Sequence, residues 1–337
     1  MEDLPKISIV IVTLNNQRTI KECLKRIALQ DYPKELIECL NIDGGSTDAT
    51  EAILKRYGFR IVESSIKRNA EAQRAIGIRE AKNNLIVSID ADNYLPNKKW
   101  LRQMVKPFMD DPKIIHASTM HYTHRQEDSL YNRYAALFGS VDPIVYYVGR
   151  PDRLPHNIKK WTNGSFIKET ADYYVVEFTK ESLPTVGCNG VVYRKDILLK
   201  YAKSSPSDFL HIDVFVDILE RGYNRFAIIK NEVIHDTAVS LGSLIKKRIA
   251  FLASYYLKTK QKRRYLVYNP RKIKDTVKLL LFVVYTVTFI KPFIDSLRGY
   301  FVIRDLAWFI HPVICWVYLY AYSAATIRWI FVRQSEV

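Results

Sequence analysis

The chain has 337 residues, 48% of them hydrophobic, which is enough for one large domain or for a domain with an appendage. Its net charge of +16 suits an anionic partner and does not choose among nucleotide phosphates, nucleic acid and an acidic membrane. The four cysteines have neither metal-ligand nor disulfide spacing, so we expect free thiols in a reducing compartment. The N-terminus lacks the basic region and cleavage site of a secretory signal. The four cysteines are Cys23, Cys39, Cys188 and Cys315.

The first 123 residues alternate between apolar, β-branched runs and amphipathic segments. Strands are predicted over residues 7–13, 36–42, 59–65, 84–90 and 113–123, and helices over 18–30, 46–58, 70–82 and 97–108. This alternation predicts a parallel sheet with helices on both faces. In such sheets ligands bind beyond the carboxyl ends of the strands.

Residues 124–183 lose this pattern, and we interpret them as a long, irregular functional flap. Order resumes at 185–198, followed by a helical pattern at 211–223, a strand at 226–236 and a helix at 241–257.

The C-terminal tail changes in character. Residues 258–278 contain nine Lys or Arg and one Asp, and apolar runs follow at 279–290 and 306–326. The second run is long enough to cross a bilayer at about 1.5 Å per residue. A buried hairpin of a soluble protein is the alternative. The basic segment before the apolar runs favours membrane association, with the preceding domain on the cytoplasmic face.

Two carboxylates end the fourth predicted strand, in "VSIDADN". Side chains at i and i+2 of an extended segment point the same way, so Asp90 and Asp92 can converge on one ligand. Such oxygens suit Mg²⁺ or Mn²⁺ together with phosphate oxygens. A solvated Asp-x-Asp turn is the alternative. Asp43, in "IDGGSTD", ends the second strand and can accept the N3–H of a uracil in the same crevice; an ordinary strand–turn–helix corner is again the alternative.

The segments "ISIVIVTLNN", "IDGGSTD" and "VSIDADN", in this order and spacing, resemble the N-terminal half of family 2 glycosyltransferases. The resemblance covers the first 125 residues and resumes at "GCNGVVYRKDIL", "HIDVFVDILERGY" and "VIHD". It implies an inverting enzyme with the α/β GT-A fold, whose mostly parallel central sheet is flanked by helices. The full expected plan is a catalytic domain at 1–257, with a nucleotide-binding half at 1–123 and an acceptor half at 124–257, a basic juxtamembrane segment at 258–278 and a membrane-associated hydrophobic helical hairpin at 279–337.

The resemblance also implies roles on the donor side. Thr13, Asn15 and Asp43 would hold the nucleobase and ribose, and Arg74 would belong to the same donor site. Asp90 would lie near the ribose and the metal.

The remaining roles concern the metal and the acceptor. Asp92 would ligate the metal, with His235 as a further ligand or a contact to the diphosphate, and Asn189 would hydrogen-bond the sugar. In "HID", Asp213 occupies the place of the family's general base, although Ile212 replaces the usual Glu. Asp208 and Asp217 are nearby alternatives for the base, and they lie outside that place.

We therefore expect a metal-dependent enzyme using Mn²⁺ or Mg²⁺ that transfers a single sugar from a nucleotide-diphosphate donor, with a UDP-sugar favoured. The apolar tail points to a membrane-presented acceptor, namely a lipid-linked glycan, a polyprenyl phosphate or a glycolipid. The alternatives are a non-catalytic basic protein that binds membranes or nucleic acid, and a nucleotidyltransferase. We expect no nucleic-acid partner, because no binding motif is present and the basic residues gather before the tail.

Overall fold

The computed structural model describes residues 3–237, 241–253 and 263–334. The chain forms two compact units. The first, called the sheet unit below, comprises Met1–Thr123 and Lys160–Asp236. The second, called the helical unit, comprises His124–Lys159 and Thr237–Val337. This division differs from the expected boundaries, because residues 124–159 group with the C-terminal helices rather than with the expected acceptor half.

In chain order the elements are β1 Ile7–Thr13, α1 Ile20–Ala28, β2 Ile37–Asp43, α2 Thr50–Arg56, β3 Arg60–Glu63, α3 Ala70–Glu80, β4 Leu85–Asp90, β5 Asn93–Tyr94, α4 Trp100–Asp110, β6 His116–Tyr122, α5 Leu130–Phe138, α6 Pro143–Tyr147, β7 Ser165–Glu169, β8 Tyr173–Glu177, β9 Val191–Arg194, α7 Lys195–Tyr201, α8 His211–Leu219, β10 Arg225–His235, α9 Leu241–Phe251, α10 Ile273–Thr288, α11 Ile290–Val302 and α12 His311–Gln334.

One sheet forms the centre of the sheet unit, with the strand order β3-β2-β1-β4-β9-β6-β10-β8-β7 and β5 paired to β10. The first half, β3-β2-β1-β4, is parallel, as predicted. The whole sheet is mixed, because β9 runs antiparallel between β4 and β6, and β8 runs antiparallel beside β10. Strands β6, β10 and β7 nevertheless run in the same direction as β1 to β4, so seven of the nine strands on this path share one direction and the expectation of a mostly parallel sheet is confirmed.

Strand β1 is buried on both faces, as an interior strand of such a sheet should be. Helix α3 packs closely on it at Gly77. A Cβ at this position would come within 2.5 Å of a methyl carbon of Val10, so only glycine allows this approach. The close contact fixes the position of α3, whose first turns carry the charged residues described below.

Residues 124–183 are not irregular as expected, whereas their role as a functional flap stays a prediction. This stretch contains α5, α6 and the β7–β8 hairpin. The helical pattern of α5 was not recognised in the sequence, because its tyrosines and leucines are buried against residues that lie far along the chain. In the helical unit, Phe138 of α5 packs edge-to-face on Trp308, with ring centroids 4.8 Å apart.

The C-terminal region of the helical unit contains three helices where the sequence predicted two apolar runs. Helices α10 and α11 meet at Phe289, which has a left-handed backbone (φ 60°), and their axes differ by 82°. Among the described residues, Leu306–Arg328 is the one continuous helical stretch with the length and composition of a membrane span. Residues 258–262 of the expected basic segment lie outside the described residues. The four cysteines are free thiols, as expected.

Candidate active site

The carboxyl ends of three parallel strands bring the predicted donor residues to one edge of the sheet. Thr13 at the end of β1 lies opposite Asp43 at the end of β2, and Val12 lies opposite Asp90 at the end of β4. The three strands therefore end side by side, with a polar side chain at the end of each, at the edge of the sheet where ligands bind in such folds.

Residues 43–48 after β2, called the Asp43 loop, are organised around a fully buried carboxylate. Asp43 Oδ1 accepts hydrogen bonds from the backbone N–H groups of Gly45 (2.8 Å) and Ser46 (2.6 Å). Its Oδ2 accepts from the hydroxyls of Ser46 and Thr13, both at 2.7 Å. Burial raises the pKa of Asp43, but these four donors outweigh it and hold the pKa below its usual value. The carboxylate is thus ionised and its position is fixed.

Asn15 ties the end of β1 to the same loop. Its backbone is left-handed (φ 55°), a conformation that Asn tolerates better than most residues. Its side-chain oxygen accepts from the N–H of Thr47 (2.8 Å), and its own N–H donates to the hydroxyl of Ser46 (2.9 Å). Thr13, Asn15 and Asp43 therefore form one hydrogen-bonded group, as a shared binding role requires. Their contact with a nucleobase or ribose stays a prediction.

Residues 90–93 after β4, called the acidic corner, make a sharp turn that is held from both sides. The Asn93 side chain accepts from the N–H of Asp90 (3.1 Å), and β5 pairs with the end of β10. The carbonyl oxygen of Asp92 accepts from the N–H of Asp236 (2.9 Å). The backbone of the corner is therefore fixed, while the side chains of Asp90 and Asp92 remain 28% and 31% exposed.

The two carboxylates of the corner have different neighbours. Asp90 pairs with the buried guanidinium of Arg74. The other terminal nitrogen of this guanidinium donates a hydrogen bond to Glu71 at 2.8 Å. Asp92 lies 3.9 Å from the Nε2 atom of His235 on β10. The described residues contain no cluster of three His, Cys, Asp or Glu side chains that could hold a metal. The metal role expected for Asp90, Asp92 and His235 stays a prediction, and the contact that the structure shows among these three residues is that of Asp92 with His235.

His235 and Asn189 share a wall of this site. The His235 ring lies beside that of Tyr122, with centroids 5.2 Å apart, and Asn189 donates to the Tyr122 hydroxyl at 3.5 Å. The segment that carries Asn189 passes close to β10 at Gly190, where the backbone is left-handed (φ 63°) and a Cβ would lie 2.9 Å from Val233. The predicted sugar contact and the predicted metal contact therefore both lie against Tyr122 of β6.

The predicted base, Asp213, lies in the first turn of α8 and is almost fully buried. Its alternatives differ in their surroundings. Asp208 is exposed. Asp217 is completely buried, and its carboxylate accepts the backbone N–H of Lys203 at 3.0 Å, which is a structural contact. Asp213 therefore remains the candidate.

Two functional candidates were missed by the sequence reasoning, namely Glu71 and His211. The Nδ1 atom of His211 lies 2.7 Å from Glu71, although the two residues are 140 positions apart. The spacing of Glu71 and Arg74 at i and i+3 on a helix was a signal for an ion pair. Nothing in the sequence indicated His211 as their partner.

Comparisons with known proteins identify the fold and the class of relatives. The fold is similar to that of the mannosyltransferase PcManGT from Pyrobaculum calidifontis, solved in complex with GDP-Man and Mn²⁺, with a TM-score of 0.57 and 14% identity over 96% of this chain and 87% of that one. The fold is thus that of the GT-A glycosyltransferases, as the resemblance implied.

Residues 8–167 match the family described as Glycosyl transferase family 2, so the chain carries a family 2 glycosyltransferase domain. The chain is 25% identical over 136 residues to the glycosyltransferase AglE of Haloferax volcanii, covering 39% of this chain and 44% of that protein. It is 30% identical over 118 residues to the dolichyl N-acetyl-alpha-D-glucosaminyl phosphate 3-beta-D-2,3-diacetamido-2,3-dideoxy-beta-D-glucuronosyltransferase of Methanococcus voltae, covering 32% and 36%. The matches span less than half the length of these relatives. They favour glycosyl transfer over both alternatives raised from the sequence.

Proposed function

We propose that the chain is a metal-dependent, inverting glycosyltransferase that moves a single sugar from a nucleotide-diphosphate sugar to a membrane-presented acceptor. The observation that carries this proposal is the meeting of Asp92 and His235, 3.9 Å apart, at the carboxyl edge of the sheet. The Asp43 loop adjoins them on the same edge and supplies the nucleoside side of the site.

The donor atoms at this edge fit a divalent cation. One carboxylate and one imidazole stand on backbone segments that are hydrogen-bonded to each other, and Mg²⁺ or Mn²⁺ takes its remaining ligands from water and substrate phosphates. Asp92 and His235 would hold the ion, which would neutralise charge on the leaving diphosphate. Asp90, already paired with Arg74, would serve the ribose more than the ion.

Inversion requires an attack on the anomeric carbon from the side opposite the diphosphate. A bond forms from the acceptor oxygen to the anomeric carbon while the bond from that carbon to the phosphate oxygen breaks, and the nucleoside diphosphate leaves. Asp213 would take the proton of the acceptor hydroxyl as general base. Asp213 lies in the first turn of α8, at the positive end of the helix dipole.

The donor's nucleobase is proposed from chemistry. The Asp43 carboxylate already accepts four hydrogen bonds, two of them from hydroxyls that can rotate towards a ligand. A uracil N3–H or a guanine N1–H would meet the same acceptor. We favour a UDP-sugar and keep a GDP-sugar as the competitor, because the similar mannosyltransferase was solved with GDP-Man.

The membrane part of the proposal rests on the surface of the helical unit. Helix α10 exposes one apolar stripe at alternating spacings of four and three residues: Ile273, Val277, Leu280, Val284 and Val287. Phe301 on α11 is 81% exposed. Exposed apolar side chains of this kind are costly in water and suit the acyl region of one leaflet. The protein would then bind an anionic membrane surface on the cytoplasmic face, where the acceptor is presented.

A donor screen tests the catalytic proposal. We expect the full-length protein to be stabilised against thermal unfolding by one of a panel of UDP-, GDP- and dTDP-sugars only with Mn²⁺, and to hydrolyse that sugar slowly. Asp213→Asn should lower kcat for this hydrolysis by at least about 100-fold while donor affinity persists, because the base acts only in the transition state. Loss of donor binding in this variant would exclude Asp213 as the base. A protein that neither binds nor hydrolyses any donor would refute the proposal.

Vesicle flotation tests the membrane proposal. Deleting α10 to α12 would uncover the apolar residues of α5, so a point substitution is the cleaner test. Phe301→Glu should reduce binding to vesicles of anionic phospholipid by about 10-fold, because a charge replaces an exposed aromatic ring that would insert at the acyl boundary. The matched control is Leu29→Glu, at an exposed position directly after α1 of the sheet unit, which should bind as the wild type does. Equal binding of both variants would refute the proposed lipid face.

A further inference from the structure

A row of charged side chains, buried at its centre and partly exposed at its ends, runs behind the acidic corner of the sheet unit. It consists of Asp90, Arg74, Glu71 and His211 and is called the buried bridge below. The Arg74 guanidinium pairs with Asp90 on one side and with Glu71 Oε1, at 2.8 Å, on the other. Glu71 Oε2 contacts His211 Nδ1 at 2.7 Å, and His211 Nε2 contacts the carbonyl oxygen of Val186, also at 2.7 Å.

The bridge also supports the N-terminus of α8. The residue that precedes the helix, Leu210, has no polar side chain to accept the first N–H groups. Glu71, from α3, accepts the backbone N–H of His211 at 3.1 Å and so does part of the work of a capping residue. The carboxylate thus accepts three hydrogen bonds from two other residues, and it lies at the positive end of the helix dipole.

The geometry matches a charged imidazole ring. Both ring nitrogens of His211 face acceptors, and only the imidazolium form donates from both. Burial lowers the pKa of His211, but Cys188 and Glu71 raise it well above its usual value. Burial raises the pKa of Glu71, but His211 and Arg74 lower it to about 2. Cys188 and the β9 residue Tyr193 are further titratable groups near this cluster. The lowered pKa of Glu71 and the raised pKa of His211 keep the pair ionised at neutral pH.

The two ends of the bridge lie where the reacting groups are. At one end Asp90 belongs to the acidic corner. At the other, His211 is the first residue of α8, two positions before Asp213, and its ring holds Val186, three positions before Asn189. The bridge therefore joins the donor carboxylates to both segments that carry the predicted acceptor-side residues.

We propose that Glu71 and His211 are positioning residues that hold α8 and the segment from Val186 to Asn189 in register with the acidic corner. This inference rests on the proposed function, since Asp213 is its general base. Neither residue touches the reacting atoms. Their effect is on the alignment of Asp213 with the donor, which matters because small displacements of a positioned group are costly in rate.

Glu71→Gln tests the inference because it keeps the size of the side chain and removes its charge. In the full-length protein, with the nucleotide sugar selected by the donor screen, we expect kcat for hydrolysis to fall by about 10- to 100-fold. The donor KM should stay within about two-fold, because the Asp43 loop and Asp92 are untouched. The matched control is Glu80→Gln on the same helix, where an exposed carboxylate pairs with Arg60 and both constants should be unchanged.

Glu71→Asp separates the charge from the shape. It keeps the ion pair with a shorter reach, so its kcat should lie between those of wild type and Glu71→Gln. Thermal melting establishes that each variant is folded, and if Glu71→Gln is not, Glu71→Asp carries the test. Wild-type kcat in the folded variant, or a rise in donor KM equal to the fall in kcat, would overturn the inference. A wild type that hydrolyses no donor refutes the proposed function instead, so the two failures are distinguishable.

Discussion

The Asp43 loop and the acidic corner both place an aspartate at the end of a parallel strand, but the two carboxylates differ in burial and in their partners. Asp43 is completely buried, and four donors from the protein satisfy both of its oxygens. Asp92 is 31% exposed and stands 3.9 Å from the imidazole of His235. Asp43 is thus held inside its loop, whereas Asp92 is partly exposed at the edge of the sheet. Substitution of Asp43 should therefore mainly lower the stability of the fold, and substitution of Asp92 should mainly lower the activity.

The largest effect is expected at the corner. Asp92→Asn should reduce Mn²⁺-dependent donor hydrolysis by about 1000-fold, because it removes the charged ligand of an ion that contributes several kcal/mol of transition-state stabilisation. The melting temperature should change little, since the side chain is partly exposed. Asp31→Asn, which alters an exposed carboxylate in the turn after α1, is the control and should retain activity. A fully active Asp92→Asn enzyme would remove Asp92 from the metal site.

At the loop the larger loss should be in stability. Asp43→Asn replaces an acceptor of four hydrogen bonds with an amide whose NH₂ group faces donors, so the free energy of unfolding should fall by about 3 kcal/mol. Urea denaturation of the full-length protein measures this loss. The comparison between loop and corner fails if Asp43→Asn is as stable as wild type, or if Asp92→Asn is the less stable of the two.

The dependence of the unfolding free energy on pH tests the structural role of the Asp43 carboxylate further. The pKa of Asp43 in the folded chain lies below its usual 3.8, so its ionisation stabilises the fold fully above that value. The stabilisation is lost as the pH falls through the lowered pKa. The difference in unfolding free energy between wild type and Asp43→Asn should therefore be constant from pH 7 to about pH 4 and shrink below it. A difference that shrinks already between pH 7 and pH 5 would contradict the assigned ionisation.

The smallest effect is expected for Ser46→Ala, which removes one donor from Asp43 and the acceptor for the Asn15 N–H. We expect a loss of about 1 kcal/mol in stability and a rise of about five-fold in donor KM, with kcat unchanged. Ser205→Ala, at an exposed hydroxyl before α8, is the control. A fall in kcat without a change in KM would show that the loop acts on the reaction rather than on donor binding.

Much of the sheet unit could be predicted because its signals are local. The runs that became β1, β2 and β4 are apolar and β-branched, and the polar residues at their ends fall on one edge once the strands are parallel. The antiparallel place of β9 was not predictable in this way, since strand order depends on pairing between residues about 100 positions apart, such as Val87 and Val192.

The same limit applies to the candidate site and to the helical unit. Thr13, Asn15 and Asp43 lie together as expected because adjacent parallel strands carry them. The Glu71–His211 contact joins residues 140 positions apart, and neither residue type is unusual in its own segment. Helix α5 was missed because its buried face meets α12, and the sequence does not show which distant apolar run will cover it.

The most direct test of the account is Mn²⁺ binding measured by electron paramagnetic resonance on the full-length protein, with UDP or GDP present and absent. We predict that the signal of free Mn²⁺ decreases on addition of protein only when a nucleoside diphosphate is present. The reason is that Asp92 and His235 alone supply too few ligands to hold the ion. We predict no decrease with Asp92→Asn under the same conditions. Equal Mn²⁺ binding by wild type and Asp92→Asn, or nucleotide binding that does not depend on the metal, would contradict a metal site at the acidic corner.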